Sequence, residues 1–153
     1  MSHDETGRRS HILEEMLSEV RRALGMEVAF VSQFVGDRLV FRAVEGDGES
    51  FGWHEGDVIP LDESYCKRVL DGRINRVVPD TGGEDATRDL WVTSAAGIGS
   101  YAAVPLVLSD GRLYGTLCCV SHDPDPWLRD RDLQLMENVA RQTVLSLEEG
   151  NLL

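Results

Sequence analysis

Residues 97–127 read GIGSYAAVPLVLSDGRLYGTLCCVSHDPDPW. Two apolar runs, SYAAVPLVL (100–108) and RLYGTLCCV (112–120), flank Ser109-Asp110-Gly111. Asp-Gly between two such runs is a strong hairpin signal. HDPDPW then breaks the chain, because each proline removes a backbone donor. From Asp130 to Glu149 the pattern changes to a helix, with Leu133, Met136, Ala140, Thr143 and Leu147 spaced 3, 4, 3 and 4 residues apart.

Upstream, residues 10–24 read as an amphipathic helix with Ser10 as its cap. Ile12, Leu13, Met16, Leu17, Val20, Ala23 and Leu24 form the apolar stripe, and Gly25 ends it. Two strands follow, MEVAFVSQFV and RLVFRAV, joined at Gly36-Asp37 in a turn of type II′. EGDGESFGWHEGD (45–57) is Gly-rich, acidic and aperiodic, hence a loop. Val58-Ile59-Pro60-Leu61 leads to a short helix, ESYCKRVLD, started by Asp62. INRVV (74–78) is a strand, Asp80 to Asp89 a loop, and Leu90 to Ala96 a further short helix. This order predicts an α+β fold. Its mainly antiparallel sheet carries the two terminal helices on one face. Loops and short helices cover the other face and enclose a pocket there. Residues 10–149 form one domain between a flexible tail at 1–9 and a C-terminal tail at 150–153.

Composition narrows the function. The chain has 153 residues, the size of one domain, and 42% of them are apolar. Lys+Arg 15 against Asp+Glu 27 gives a net charge of −12, which argues against nucleic acid and anionic membranes as partners. No apolar run is long enough to span a bilayer, and the N-terminus is not a secretory signal. Cys66, Cys118 and Cys119 are an odd set with two adjacent, a poor disulfide framework, which points to the cytoplasm.

The apolar strand ending in Val-Pro-Leu (102–106), the short turn and the Gly-x-Leu of 115–117 resemble the signature of the GAF domain. The resemblance runs from about Ile12 to Leu147. DESYCKRVLDGR (62–73) and GTLCCVSHDP (115–124) are similar to segments of sensory GAF domains that accompany bacterial cyclic-dinucleotide enzymes and histidine kinases. The resemblance implies a six-stranded antiparallel sheet, a non-catalytic sensor of a small molecule, and terminal helices that pair into a homodimer and signal to an output domain or partner. Leu13, Met16, Leu17, Val20, Met136, Val139, Ala140, Thr143 and Leu147 are the expected dimer-helix residues. The apolar excess of the last helix (Leu135, Val139, Val144, Leu145) adds to that expectation.

Candidate pocket residues are Trp53, Tyr65, Cys66, Asp80, Trp91, Ser94, Ser100 and Tyr101. The tryptophans would stack on a planar ligand or close a lid, and the others would supply hydrogen bonds. The Asn-Lys…Phe…Asp-Glu pattern of cyclic-nucleotide-binding relatives is absent: Asn75 is followed by Arg76. Covalent bilin is disfavoured because RDLWVTSAAGIG (88–99) has neither Cys nor His. Haem is disfavoured because His54, in an acidic loop, is the only histidine near the pocket. No cofactor is required and no metal is expected, since Cys118 and Cys119 alternate faces of one strand.

Two alternatives stand beside the sensor. One is a ligand-free dimerisation module. The other is a Cys66-based redox sensor or an enzyme like the GAF-fold methionine sulfoxide reductases. A resolving cysteine is expected before the Val-Pro-Leu strand, where this chain has Trp91, Val92 and Thr93, so the partner of Cys66 is missing on this reading. Cys118 and Cys119 read as core, and so does Cys66, on the apolar face of its helix.

Overall fold

The computed structural model describes the backbone of residues 3–88 and 90–149. Helix α1 (His3–Leu24) leads into the hairpin β1 (Val28–Val35) and β2 (Arg38–Gly46). The short strand β3 (Val58–Pro60), helix α2 (Tyr65–Leu70), strand β4 (Val77–Val78) and helices α3 (Asp85–Arg88) and α4 (Trp91–Ala96) form the middle. The hairpin β5 (Ser100–Val107) and β6 (Leu113–Ser121) and helix α5 (Asp130–Glu149) complete the chain. One antiparallel sheet of six strands has the order β3-β2-β1-β6-β5-β4.

The hairpin signals read correctly. Gly36 takes φ 60° and Gly111 φ 89°, the left-handed backbone their turns require. Pro105 lies on β5 past Ala102, where β4 stops pairing, so its missing donor breaks no ladder bond on that side. Gly115 is fixed by close approach. A Cβ there would meet the Ser32 carbonyl oxygen at 1.8 Å, because β1 and β6 press together at this point.

Three expectations are corrected. Helix α1 starts at His3 rather than Ser10, so residues 3–9 are helical backbone instead of tail. The apolar stripe nucleates the helix, and extension through a proline-free run is cheap. The remaining tail residues, 1–2 and 150–153, lie outside the described part. Val58–Pro60 is the sixth strand, paired to Arg38–Val40 of β2, although its three residues are too few to show a period. Helix α2 is capped by Ser64, not Asp62: the Ser64 hydroxyl accepts from the Lys67 N–H at 3.2 Å.

Each face of the sheet has its own core. On one face α1 and α5 pack over Ala29, Val31, Ala102, Val104, Leu106, Leu117 and Cys119. Leu13, Leu17 and Val20 of α1, with Met136, Val139, Ala140, Thr143 and Leu147 of α5, are buried there within one protomer, and Met16 is partly buried against them. Within the single protomer these expected dimer-helix side chains face the sheet and each other. Their apolar surface is already used in covering the sheet. Val139 and Val144 are buried too, which leaves Ile12 (38% exposed) and Leu145 (57%) as the large apolar side chains these helices turn outward. On the other face, Phe30, Leu39, Phe41, Tyr101, Ala103 and Cys118 meet the middle segment through Phe51, Tyr65, Cys66, Val69, Val92 and Ile98.

Candidate functional site

The middle segment is held over the sheet by a run of threonine hydroxyls. Thr81 donates to the Ile98 carbonyl at 2.5 Å, Thr87 to the Thr81 carbonyl at 2.6 Å, and Thr93 to the Thr87 carbonyl at 2.5 Å. Since Thr93 spends its hydrogen on Thr87, its oxygen accepts from the Tyr65 hydroxyl. Burial pushes Tyr65 up to about 12.

Under that cover lies a cavity of about 30 Å³, lined by Phe30, Leu39, Phe41, Trp53, Ile59, Ser64, Tyr65, Cys66, Val92, Ile98 and Tyr101. Its volume suits one or two water-sized molecules. Trp53 forms an aromatic wall, stacked on Phe51 at 4.9 Å between centroids and on Phe41 at 5.7 Å, with Phe30 edge-on at 5.2 Å. His122 extends that wall. Its ring lies 3.8 Å from the Phe51 ring, Nδ1 donates to the Gly97 carbonyl at 2.7 Å, and Nε2 pairs with the Ser50 hydroxyl at 2.7 Å.

Of the sequence-predicted pocket residues, the structure brings together Trp53, Tyr65, Cys66 and Tyr101. It leaves four outside. Helix α4 buries Val92 and Ala96, one turn apart, so Trp91 (72% exposed) and Ser94 point to solvent. Ser100 alternates with Tyr101 along β5 and donates instead to the Asp123 carbonyl at 2.9 Å. Asp80 is exposed and caps a single 3-10 turn by accepting from the Gly82 N–H at 3.0 Å.

Behind the cavity is a polar cluster that the sequence reading missed. Cys66 Sγ lies 3.6 Å from Cys118 Sγ, and the Tyr101 hydroxyl is 3.4 Å from the first sulfur and 3.5 Å from the second. Thr116 donates to Cys66 Sγ at 3.1 Å, and the Ser32 hydroxyl lies 2.6 Å from the Thr116 oxygen. Ser32 in turn accepts from the Thr116 N–H at 3.2 Å. Ser32 donates to Thr116, and Thr116 donates to Cys66. No cysteine stands before the Val-Pro-Leu strand, but Cys66 does have a thiol neighbour on a later strand. Cys118, 52 residues on, is that neighbour. The alternation of Cys118 and Cys119 was the signal for it, but not for which residue of α2 it would meet.

These donors decide the ionisation. Hydrogen bonding from Cys118, then from Thr116 and Tyr101, holds Cys66 down to about 7 against burial. Burial and the neighbouring Cys66 sulfur push Cys118 well above the usual thiol range. Burial likewise raises Tyr101 well above 10. Cys119, one residue along but facing the helices, is pushed up to about 12 by burial. No group of three or more His, Cys, Asp or Glu able to hold a metal occurs among the described residues.

The sequence profile described as "GAF domain" matches residues 8–147. The chain is 27% identical over 139 residues to the diguanylate cyclase DgcP of Escherichia coli K12, covering 87% of this chain. It spans 39% of that relative's length. The blue-light-absorbing form of the PixJ GAF domain from Thermosynechococcus elongatus superposes with a TM-score of 0.72 at 21% identity, over 97% of this chain and 90% of that one. The phycoerythrobilin-bound GAF domain of a cyanobacterial phytochrome gives a TM-score of 0.73 at 17% identity, over 94% and 87%. At these identities the likeness is one of fold.

Proposed function

The chain belongs to the GAF domain family, and from that premise we propose that it is a non-catalytic sensory domain whose cavity takes a small, mainly apolar molecule. One observation carries the reading. The cavity sits on the sheet face opposite α1 and α5, so the same strands floor the site and support both terminal helices. Occupancy that displaces β1, β6 or the middle segment is transmitted through those strands to the helices, and from them to an output domain or partner. The DgcP relative favours a diguanylate cyclase as that output.

The ligand is neither haem nor covalent bilin on this reading. A cavity of about 30 Å³ suits a far smaller molecule, and residues 90–97 hold no cysteine. Self-association, if the helices carry it, runs through the outward Ile12 and Leu145. Light scattering should then give a dimer for the wild type and a monomer for Leu145→Glu.

Tryptophan fluorescence tests the ligand. Trp53 lines the cavity while Trp91 and Trp127 lie at the surface. Titration with apolar molecules of two or three heavy atoms, beginning with dimethyl sulfide, should give a saturable change that Trp53→Phe abolishes. Binding by calorimetry with an unchanged Trp53 signal would place the ligand elsewhere.

A further inference from the structure

We propose that Cys66 and Cys118 are a redox-active dithiol, which a hydroperoxide converts to an intramolecular disulfide that ties α2 to the central strand β6. The proposal does not depend on what occupies the cavity.

The geometry assigns distinct parts to the two sulfurs. They lie 3.6 Å apart, and a disulfide requires about 2.05 Å. Strand β6 is fixed between β1 and β5, so the approach falls to α2, a six-residue helix bounded by Ser64 and Asp71. Cys66 lines the cavity, which has room for a molecule as small as hydrogen peroxide and none for a bulky disulfide such as oxidised glutathione. The hydroxyls of Thr116 and Tyr101 are poised to stabilise negative charge on the Cys66 sulfur, the form that attacks peroxide. Cys119 has neither a hydroxyl partner nor a place in the cavity, and faces α1 and α5.

The chemistry balances in two steps. The Cys66 thiolate attacks one peroxide oxygen and the O–O bond breaks. The leaving oxygen departs as hydroxide or alkoxide and takes up the proton that Cys66 had released, leaving a sulfenic acid on Cys66. The Cys118 sulfur then attacks the Cys66 sulfur, the S–O bond breaks, and hydroxide leaves with the proton of Cys118 as water. Two thiols and one hydroperoxide become one disulfide, one water and one alcohol, or two waters when the oxidant is hydrogen peroxide. Two electrons pass from the sulfurs to the peroxide.

The full reduced chain, treated with a small excess of hydrogen peroxide near neutral pH, is followed by intact mass and peptide mapping. The wild type should lose two hydrogens and yield one cross-linked pair of peptides, containing Cys66 and Cys118. Dithiothreitol should reverse it. Cys119→Ser should behave as the wild type, and Cys118→Ser should leave a sulfenic acid on Cys66 that dimedone traps once the oxidised chain is unfolded in urea. A wild-type mass that stays unchanged, that gains oxygen without losing hydrogen, or a cross-link through Cys119 would overturn the proposal. So would oxidation by oxidised glutathione with none by peroxide. The wild-type mapping needs no variant, so the decision does not hang on a serine chain folding. A failed fluorescence titration leaves this result standing, and the reverse holds as well.

Discussion

Cys118 and Cys119 are consecutive residues in one strand, both buried and both free, yet they belong to different chemistries. Cys119 faces the terminal helices among Val31, Ala102 and Leu117, where burial, more than the nearby Arg21 and Glu45 charges, sets its proton affinity. Cys118 faces the middle segment, beside a second sulfur and the hydroxyls of Tyr101 and Thr116. The difference shows how a two-sided sheet divides its labour. The face covered by two long helices is closed by apolar packing, and its buried Thr143 hydroxyl donates back to the Val139 carbonyl of its own helix. The face covered by short pieces is held by hydroxyl bonds as well as by packing, and those bonds are where reactivity can be tuned.

The division can be broken from either side. Leu17→Ala removes a side chain with no exposed surface beneath α1, and should cost about 3–4 kcal/mol in urea unfolding. It should leave the thiolate absorbance of Cys66 titrating where it does in the wild type. A shift in that midpoint would show that the two faces are not independent.

The next largest effect is a pH dependence. The folded state holds Cys66 down to about 7, below the unfolded value near 9, so between those values the folded chain releases a proton that the unfolded chain keeps. Stability should rise across that window by at most roughly 3 kcal/mol. Above it the gain reverses, because Cys118, Cys119, Tyr65 and Tyr101 are raised and resist ionising while folded. Cys66 is faced by Tyr65 and Ser64 of its own segment, Tyr101 of β5, and Ser32, Thr116 and Cys118 of β1 and β6, with no charged side chain among the cavity-lining residues. Denaturation of Cys66→Ala should show no rise over the same window.

Tyr101→Phe sharpens the comparison further. It keeps the ring and deletes only the hydroxyl between the two sulfurs, at a cost of about 1 kcal/mol. The ultraviolet titration of Cys66 should move upward, towards that of an ordinary thiol. The smallest effect belongs to Trp91→Ala. At 72% exposure it should change stability by less than about 0.5 kcal/mol, and should leave any Trp53 response to ligand intact.

How far the sequence spoke for each face follows the same division. The hairpins and both long helices were legible because their periods run for eight residues or more. Strand β3 was not, since three residues ending in proline show no alternation. On the site, Trp53, Tyr65, Cys66 and Tyr101 came from the sequence, whereas Trp91 and Ser94 were lost because a one-turn helix gives little hint of which side it buries. Cys118 was visible as a core residue but not as a partner. Its meeting with Cys66 depends on how a 52-residue excursion folds back, which no local pattern records.

The outermost strands have a consequence of their own. β3 offers three residues of edge and β4 two, and the first ends at Pro60 while Pro79 follows the second. A stray polypeptide seeking to extend the sheet would gain only a few backbone bonds on either flank before meeting a proline. The fold thus carries its own protection against strand-templated polymerisation, and should stay free of fibrils at concentrations where an unguarded sheet of this size would not.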